Sequence, residues 1–142
     1  MKQLPPYRLI FSSTLLLCLL LGALGCNSDQ CDPDLPCFYE RPDSGFVHLN
    51  LTINGDNPLV PIAIYEGAID DSILLVRDTV PDTDVFYYLA ADQRYSASAR
   101  YREAQLTILA VDGDRIRTRR ETNCDEVCFT IEDAFINLTL QR

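Results

Sequence analysis

The chain has 142 residues, 12 basic and 21 acidic, with one histidine, six cysteines, no tryptophan and a net charge of −9. That acidic surplus excludes a nucleic-acid footprint, which needs a basic surface to release counterions. The length supports one ordinary core with short appendages and not two.

Residues 1–25 read as an export signal. Lys2 and Arg8 supply a basic start, and the 17 residues from Leu9 to Gly25 are free of charge and mostly apolar. These are the requirements for entering a translocon. A retained helix is the rival, because 17 residues lie at the lower edge of what spans a bilayer. Loss of Lys2 and Arg8 with the signal takes the net charge to −11 and leaves no lysine. Such a charge suits a solvated surface or a cationic partner.

The segment Ala23-Leu24-Gly25-Cys26 resembles the processing site of bacterial lipoprotein precursors, in which a small residue precedes a cysteine that is acylated and becomes the new N-terminus. The resemblance implies lipidation at Cys26 and a membrane partner held through N-terminal lipid, stable anchoring needing more than one chain. Ala23 stands where leucine is usual, so ordinary signal-peptidase cleavage is the alternative. Cys18 lacks a preceding small residue and belongs to the apolar run.

Residues 26–44, rich in Asp, Pro and Ser, read as a lipid-anchored tether carrying Cys31 and Cys37. Cys124 and Cys128 complete an even set, which outside the cytoplasm implies two disulfides. Of three connectivities the local one, 31 to 37 and 124 to 128, is expected, since Asp32-Pro33-Asp34-Leu35-Pro36 is turn-rich. A long-range pairing would remove more unfolded-state entropy and is the competitor. Structural zinc favours tighter cysteine spacings than these.

Residues 45–142 read as β throughout. From Phe46 to Ile53 the apolar Val47, Leu49, Leu51 and Ile53 alternate with His48, Asn50 and Thr52, the period of a half-buried strand. Asn54-Gly55 marks a turn. Further strands are expected over 59–65, 73–79 and 85–90, with Pro61 indicating an edge strand or a bulge. Between Arg94 and Arg102, Tyr95, Ala97, Ala99 and Tyr101 share one face and the arginines and serines the other. Strands over 105–111 and 115–120 flank Asp112-Gly113, a hairpin signal, and 134–140 closes the chain. The expected fold is all-β, an antiparallel β-sandwich of about 7–8 strands with an immunoglobulin-like or transthyretin-like Greek key, a small barrel being the runner-up.

Candidate chemistry is sparse. A lone His48 on a polar strand face cannot build a nucleophile relay, and no G-x-S-x-G occurs. Paired acidic residues at 70–71, 82 and 84, 112 and 114, and 125–126 fall in predicted turns, where Asp bonds its own backbone. They lack EF-hand spacing, so neither metal nor cofactor is expected. Two features remain as a possible ligand surface. Phe86, Tyr87 and Tyr88 are consecutive, so at least one ring faces away from the core unless both sheet faces are covered. Arg94, Arg100 and Arg102, with Arg115, Arg117 and Arg119, are candidates for one arginine face, unless they pair with neighbouring carboxylates.

Asp71-Ser72-Ile73 and Asp78-Thr79-Val80 resemble the O-glycosylation motif of exported Bacteroidota proteins, and the mature part is similar to small lipoproteins of that group. The resemblance carries no function. The expectation is therefore a non-enzymatic lipoprotein of the bacterial cell envelope, acting as a binding or assembly module for a protein or glycan. The alternative is an inhibitor of a cationic hydrolase such as lysozyme, steered by opposite charge.

Overall fold

The structure, a computed structural model, describes residues 37–69, 73–123 and 126–141. Residues 1–25, Cys26, Cys31, Asp70, Asp71, Ser72, Cys124 and Asp125 lie outside them, as do the expected signal cleavage and lipidation. Among the described residues there are nine strands and no α-helix: β1 (Ser44–Asn50), β2 (Val60–Glu66), β3 (Ile73–Val80), β4 (Asp84–Ala90), β5 (Arg94–Glu103), β6 (Leu106–Arg115), β7 (Arg117–Asn123), β8 (Glu126–Glu132) and β9 (Ala134–Asn137).

They form an all-β sandwich. A three-stranded sheet, β4-β1-β9, faces a four-stranded sheet, β3-β2-β5-β6, and β7-β8 is a separate two-stranded hairpin. Every pairing is antiparallel except β1 with β9. In the immunoglobulin arrangement the first two strands share a sheet. Here β1 and β2 lie in opposite sheets, which departs from that arrangement.

The alternation read from the sequence is the alternation observed. Val47 and Leu49 of β1, Ile62 and Ile64 of β2, and Ala134 and Ile136 of β9 are buried between the sheets. Tyr95, Ala97, Ala99 and Tyr101 of β5 are at most 1% exposed. Burying two tyrosines requires partners for their hydroxyls. Tyr95 donates to the Ala90 carbonyl at 2.7 Å, and Tyr101 donates to the Leu138 carbonyl at 2.8 Å while accepting the Thr52 amide at 3.1 Å.

The two seams between the sheets are bridged by side chains. On one side the Tyr87 hydroxyl of β4 donates to Asp78 of β3 at 3.0 Å. On the other, the free-edge amides of Phe135 and Asn137 on β9 donate to the Asp114 and Asp112 carboxylates of β6, at 2.9 and 2.8 Å. These bonds blunt β9, whose unpaired amides would otherwise be open to another chain.

Four expectations are corrected. Asp112-Gly113 is not a hairpin turn: β6 runs straight through it, and the preceding turn lies at Ala104, in the left-handed region at φ 53°. Gly113 is required for close packing instead, because a Cβ there would stand 2.9 Å from the Tyr95 carbonyl oxygen. Pro61 lies in a central strand, β2, and not at an edge, while the bulge offered as the other possibility does occur in that strand, at Ile64/Tyr65. A ninth strand, β8, occupies residues for which no strand was expected.

The fourth correction is the disulfide. Cys37 is bonded to Cys128, 91 residues away, with a Cα–Cα distance of 5.4 Å, and not to a near neighbour. The physical reason is backbone pairing. Phe38 and Phe129 exchange two amide-carbonyl bonds of 2.8 Å, which lays the segment before β1 alongside β8 and brings the two cysteines together. The end of the expected tether is thus fastened to the hairpin. Cys128 is buried, and Gly45 of β1 leaves room for the hairpin's Ile131, whose Cδ1 would lie 2.7 Å from a Cβ at that position.

Candidate functional site

Strand geometry sends alternate side chains to opposite faces, so β1, which buries Val47 and Leu49, must present Phe46, His48 and Asn50 outward. The register aligns these with outward residues of both neighbours. Phe46 pairs with Tyr88, His48 with Phe86 on one side and Phe135 on the other, and Asn50 with Asp84 and Asn137. The outer face of the three-stranded sheet is therefore a patch of rings bounded at one end by a polar row.

The rings touch. His48 stacks on Phe86 with centroids 4.4 Å apart and meets Phe135 edge-on at 5.0 Å. Phe46 lies 5.1 Å from Tyr88 and 6.5 Å from Phe86. Aromatic cross-strand pairs stabilise a sheet modestly and favour its extended backbone. Yet Phe46, Phe86, Tyr88 and Phe135 remain 46%, 57%, 63% and 52% exposed. A contiguous exposed aromatic patch on a small domain marks an interaction surface.

Of the consecutive Phe86, Tyr87 and Tyr88, the outer two face solvent and Tyr87 turns inward against the core. Burial, and then its bond to Asp78, pushes the Tyr87 hydroxyl up to about 12. A shallow apolar groove of about 230 Å³ continues the patch toward the hairpin, between Phe46, Tyr88, Phe38, Pro42 and Ile131.

Carboxylates surround the rings. Asp84 accepts from His48 at 2.7 Å, from Asn50 at 3.0 Å and from Thr83 at 2.9 Å, and these bonds hold it below the usual carboxylate range. Asp133 accepts the Phe46 amide at 2.8 Å at the opposite end. Asp112 and Asp114 line the β9 margin and Asp78 the β4 margin, through the seam bonds described above. Among the described residues, Asp114 has an arginine at ion-pair distance, Arg117 at 3.9 Å, and His48 is the one cationic-capable side chain within the patch.

The six arginines are not gathered on one surface. Arg94, Arg100, Arg102 and Arg115 share the outer face of the four-stranded sheet, Arg94 directly opposite Arg115 and the other two toward the far end. None of these four forms an ion pair among the described residues. Arg100 instead borders, with Arg77, Tyr65 and Leu109, a groove of about 180 Å³ floored by Ala63 and Ser98. Arg117 and Arg119 belong to the hairpin and pair with Glu132 at 3.6 and 2.9 Å, exposed contacts of small energetic weight.

His48 and Asp84 form a hydrogen-bonded pair. Among the described residues no hydroxyl or thiol bonds to the His48 ring, and no three His, Cys, Asp or Glu side chains converge as a metal would require. Thr79 of the second glycosylation-like triplet is exposed on β3, its amide bonded to Asp78. The residues that sequence inspection passed over are Phe46 and Phe135. Both sit at outward positions of strands whose inward residues are plain, so alternation itself was the available signal.

No protein family, curated protein or solved structure matches the chain.

Proposed function

We propose that this chain is a non-enzymatic lipoprotein of the bacterial envelope, exported behind residues 1–25 and lipidated at Cys26. It acts as a binding or assembly module whose contact surface is the aromatic face of the β4-β1-β9 sheet. The observation that supports it most is the exposure of four rings, three joined through Phe46 and the fourth, Phe135, reached through His48, on a face that the fold does not need for its core. Four half-exposed rings offer roughly 400 Å² of apolar surface, at about 150–250 Å² per ring. Covering that area contributes about 10 kcal/mol in transfer free energy. Association costs of about 4–15 kcal/mol absorb most of it, so rings alone give a weak contact and polar groups must complete it.

Cross-linking in intact cells tests the surface. The wild-type chain is expected to capture a repeatable partner that the Phe86→Ala/Phe135→Ala variant does not. Capture of the same partner by both chains refutes the assigned face. Turnover of a substrate by the purified protein refutes the class. Anchoring is tested separately, by labelled fatty acid, which is expected in the wild type and absent from Cys26→Ser.

A further inference from the structure

The chemistry of the face restricts what it can hold. Its four rings are exposed, one face of Phe86 being covered by His48, and aromatic rings attract ammonium and guanidinium groups over their centres. At the margins of their sheet stand Asp84 at one end, Asp133 at the other, and Asp112 and Asp114 along β9, each placed by a hydrogen bond to the three-stranded sheet itself. Asp84 is held ionised by His48, Asn50 and Thr83. Main-chain amides fix one carboxylate oxygen each of Asp133, Asp112 and Asp114, and the second oxygen of Asp114 faces Arg117 at 3.9 Å.

Among the described residues, Arg117 is the one arginine at ion-pair distance from this frame, at Asp114. Arg94, Arg100, Arg102 and Arg115 lie on the outer face of the other sheet. Arg117 approaches Asp114 no closer than 3.9 Å and shares its guanidinium with Glu132. The chain beyond residue 25 has no lysine and a net charge of −11. An anionic or lipid-headgroup partner would meet repulsion at both ends of the patch and along β9. A neutral sugar would stack on the rings but leave the surrounding charge without purpose.

Resting on the binding-surface assignment above, we propose that the aromatic face docks a cationic polypeptide segment. Its arginine or lysine side chains lie across Phe46, Phe86, Tyr88 and Phe135, and Asp84, Asp112 and Asp133 receive their charged ends. Long basic side chains match this surface in both parts, an apolar stem against the rings and a charged tip at the margin. Arginine fits better than lysine, because its planar guanidinium stacks on a ring and bonds a carboxylate in the same plane.

Calorimetric titration of the purified protein with a dodecapeptide of alternating arginine and serine tests the assignment. A glutamate-serine peptide and a neutral glucan hexasaccharide serve as comparisons. The arginine peptide is expected to bind, the other two not. Phe86→Ala/Phe135→Ala leaves the net charge unchanged and is expected to weaken binding at least tenfold. Tyr88→Ser, also outward-facing, is expected to weaken it several-fold, and both variants should keep the wild-type circular dichroism. Equal affinity in wild type and ring variants means attraction by bulk charge alone and overturns the proposal. So does binding of the glucan in place of the arginine peptide. If the rings are needed for cellular cross-linking but the arginine peptide does not bind, the surface stands and its cationic partner is refuted.

Discussion

Replacing Tyr101 by phenylalanine isolates one hydroxyl at the point where β5 meets the segments that follow β1 and β9. That hydroxyl donates to the Leu138 carbonyl at 2.8 Å and accepts the Thr52 amide at 3.1 Å, and the side chain is fully buried. The substitution keeps the ring and creates no large cavity, so the loss is almost wholly polar. It removes two hydrogen bonds and leaves a carbonyl and an amide beside an apolar ring. Stranding buried polar groups costs about 1–3 kcal/mol each at the sites where water cannot enter. Partial relaxation of the segments around Leu138 and Thr52 brings the expected total to about 2–3 kcal/mol. Against a domain stability of about 5–15 kcal/mol this is a large fraction. With a urea slope of about 1–1.5 kcal/mol per molar for a chain of this size, the midpoint falls by roughly 2 M. Tyr95→Phe is the internal comparison. It loses one bond, to the carbonyl of Ala90, whose exposed position admits water, and its expected cost is below about 1 kcal/mol. Equal midpoints for the two variants, or a Tyr101→Phe loss under about 0.5 kcal/mol, would refute this account of how the sheets are joined.

Gly113→Ala is expected to destabilise by about 1–3 kcal/mol in the same assay, since its Cβ meets the Tyr95 backbone oxygen at 2.9 Å and backbone must move. A neutral result would show that β5 and β6 separate easily. Stability is expected to decline from pH 10 to 12. Burial raises the hydroxyls of Tyr87, Tyr95 and Tyr101, so the native state keeps protons that the unfolded chain has already released, and the stabilisation present below pH 10 is lost as Tyr87 approaches about 12. Tyr87→Phe should flatten that decline in thermal melts across this range, and an unchanged slope would assign the decline to other groups. Peptide mapping without reduction is expected to recover a fragment joining Cys37 to Cys128. Recovery of 31 to 37 or 124 to 128 would contradict the pairing seen here.

Alternation carried the fold class. In β1 and β5 every second residue is apolar or small, and a period of two places those residues on one face wherever the strand is put, so the buried sets of both strands were legible before any partner was known. The same periodicity made outward rings on β4 foreseeable, because consecutive aromatics in a strand cannot all face one way. Acidity, too, is a property of composition and needed no fold.

Partnership between distant segments was not legible. Asp112-Gly113 has the local chemistry of a turn, but β6 pairs with β5 straight through it, where the missing side chain of Gly113 leaves room for the Tyr95 carbonyl. Cys37 has a closer cysteine in sequence, but the bonds between Phe38 and Phe129 deliver it to Cys128. The aromatic face needed three strands, β4, β1 and β9, separated by 30 residues or more along the chain, to be laid side by side in one register. Single strands specify which face a residue takes through the stereochemistry of their own backbone. Which faces then become neighbours depends on long-range packing and hydrogen bonding, and that only the folded chain decides.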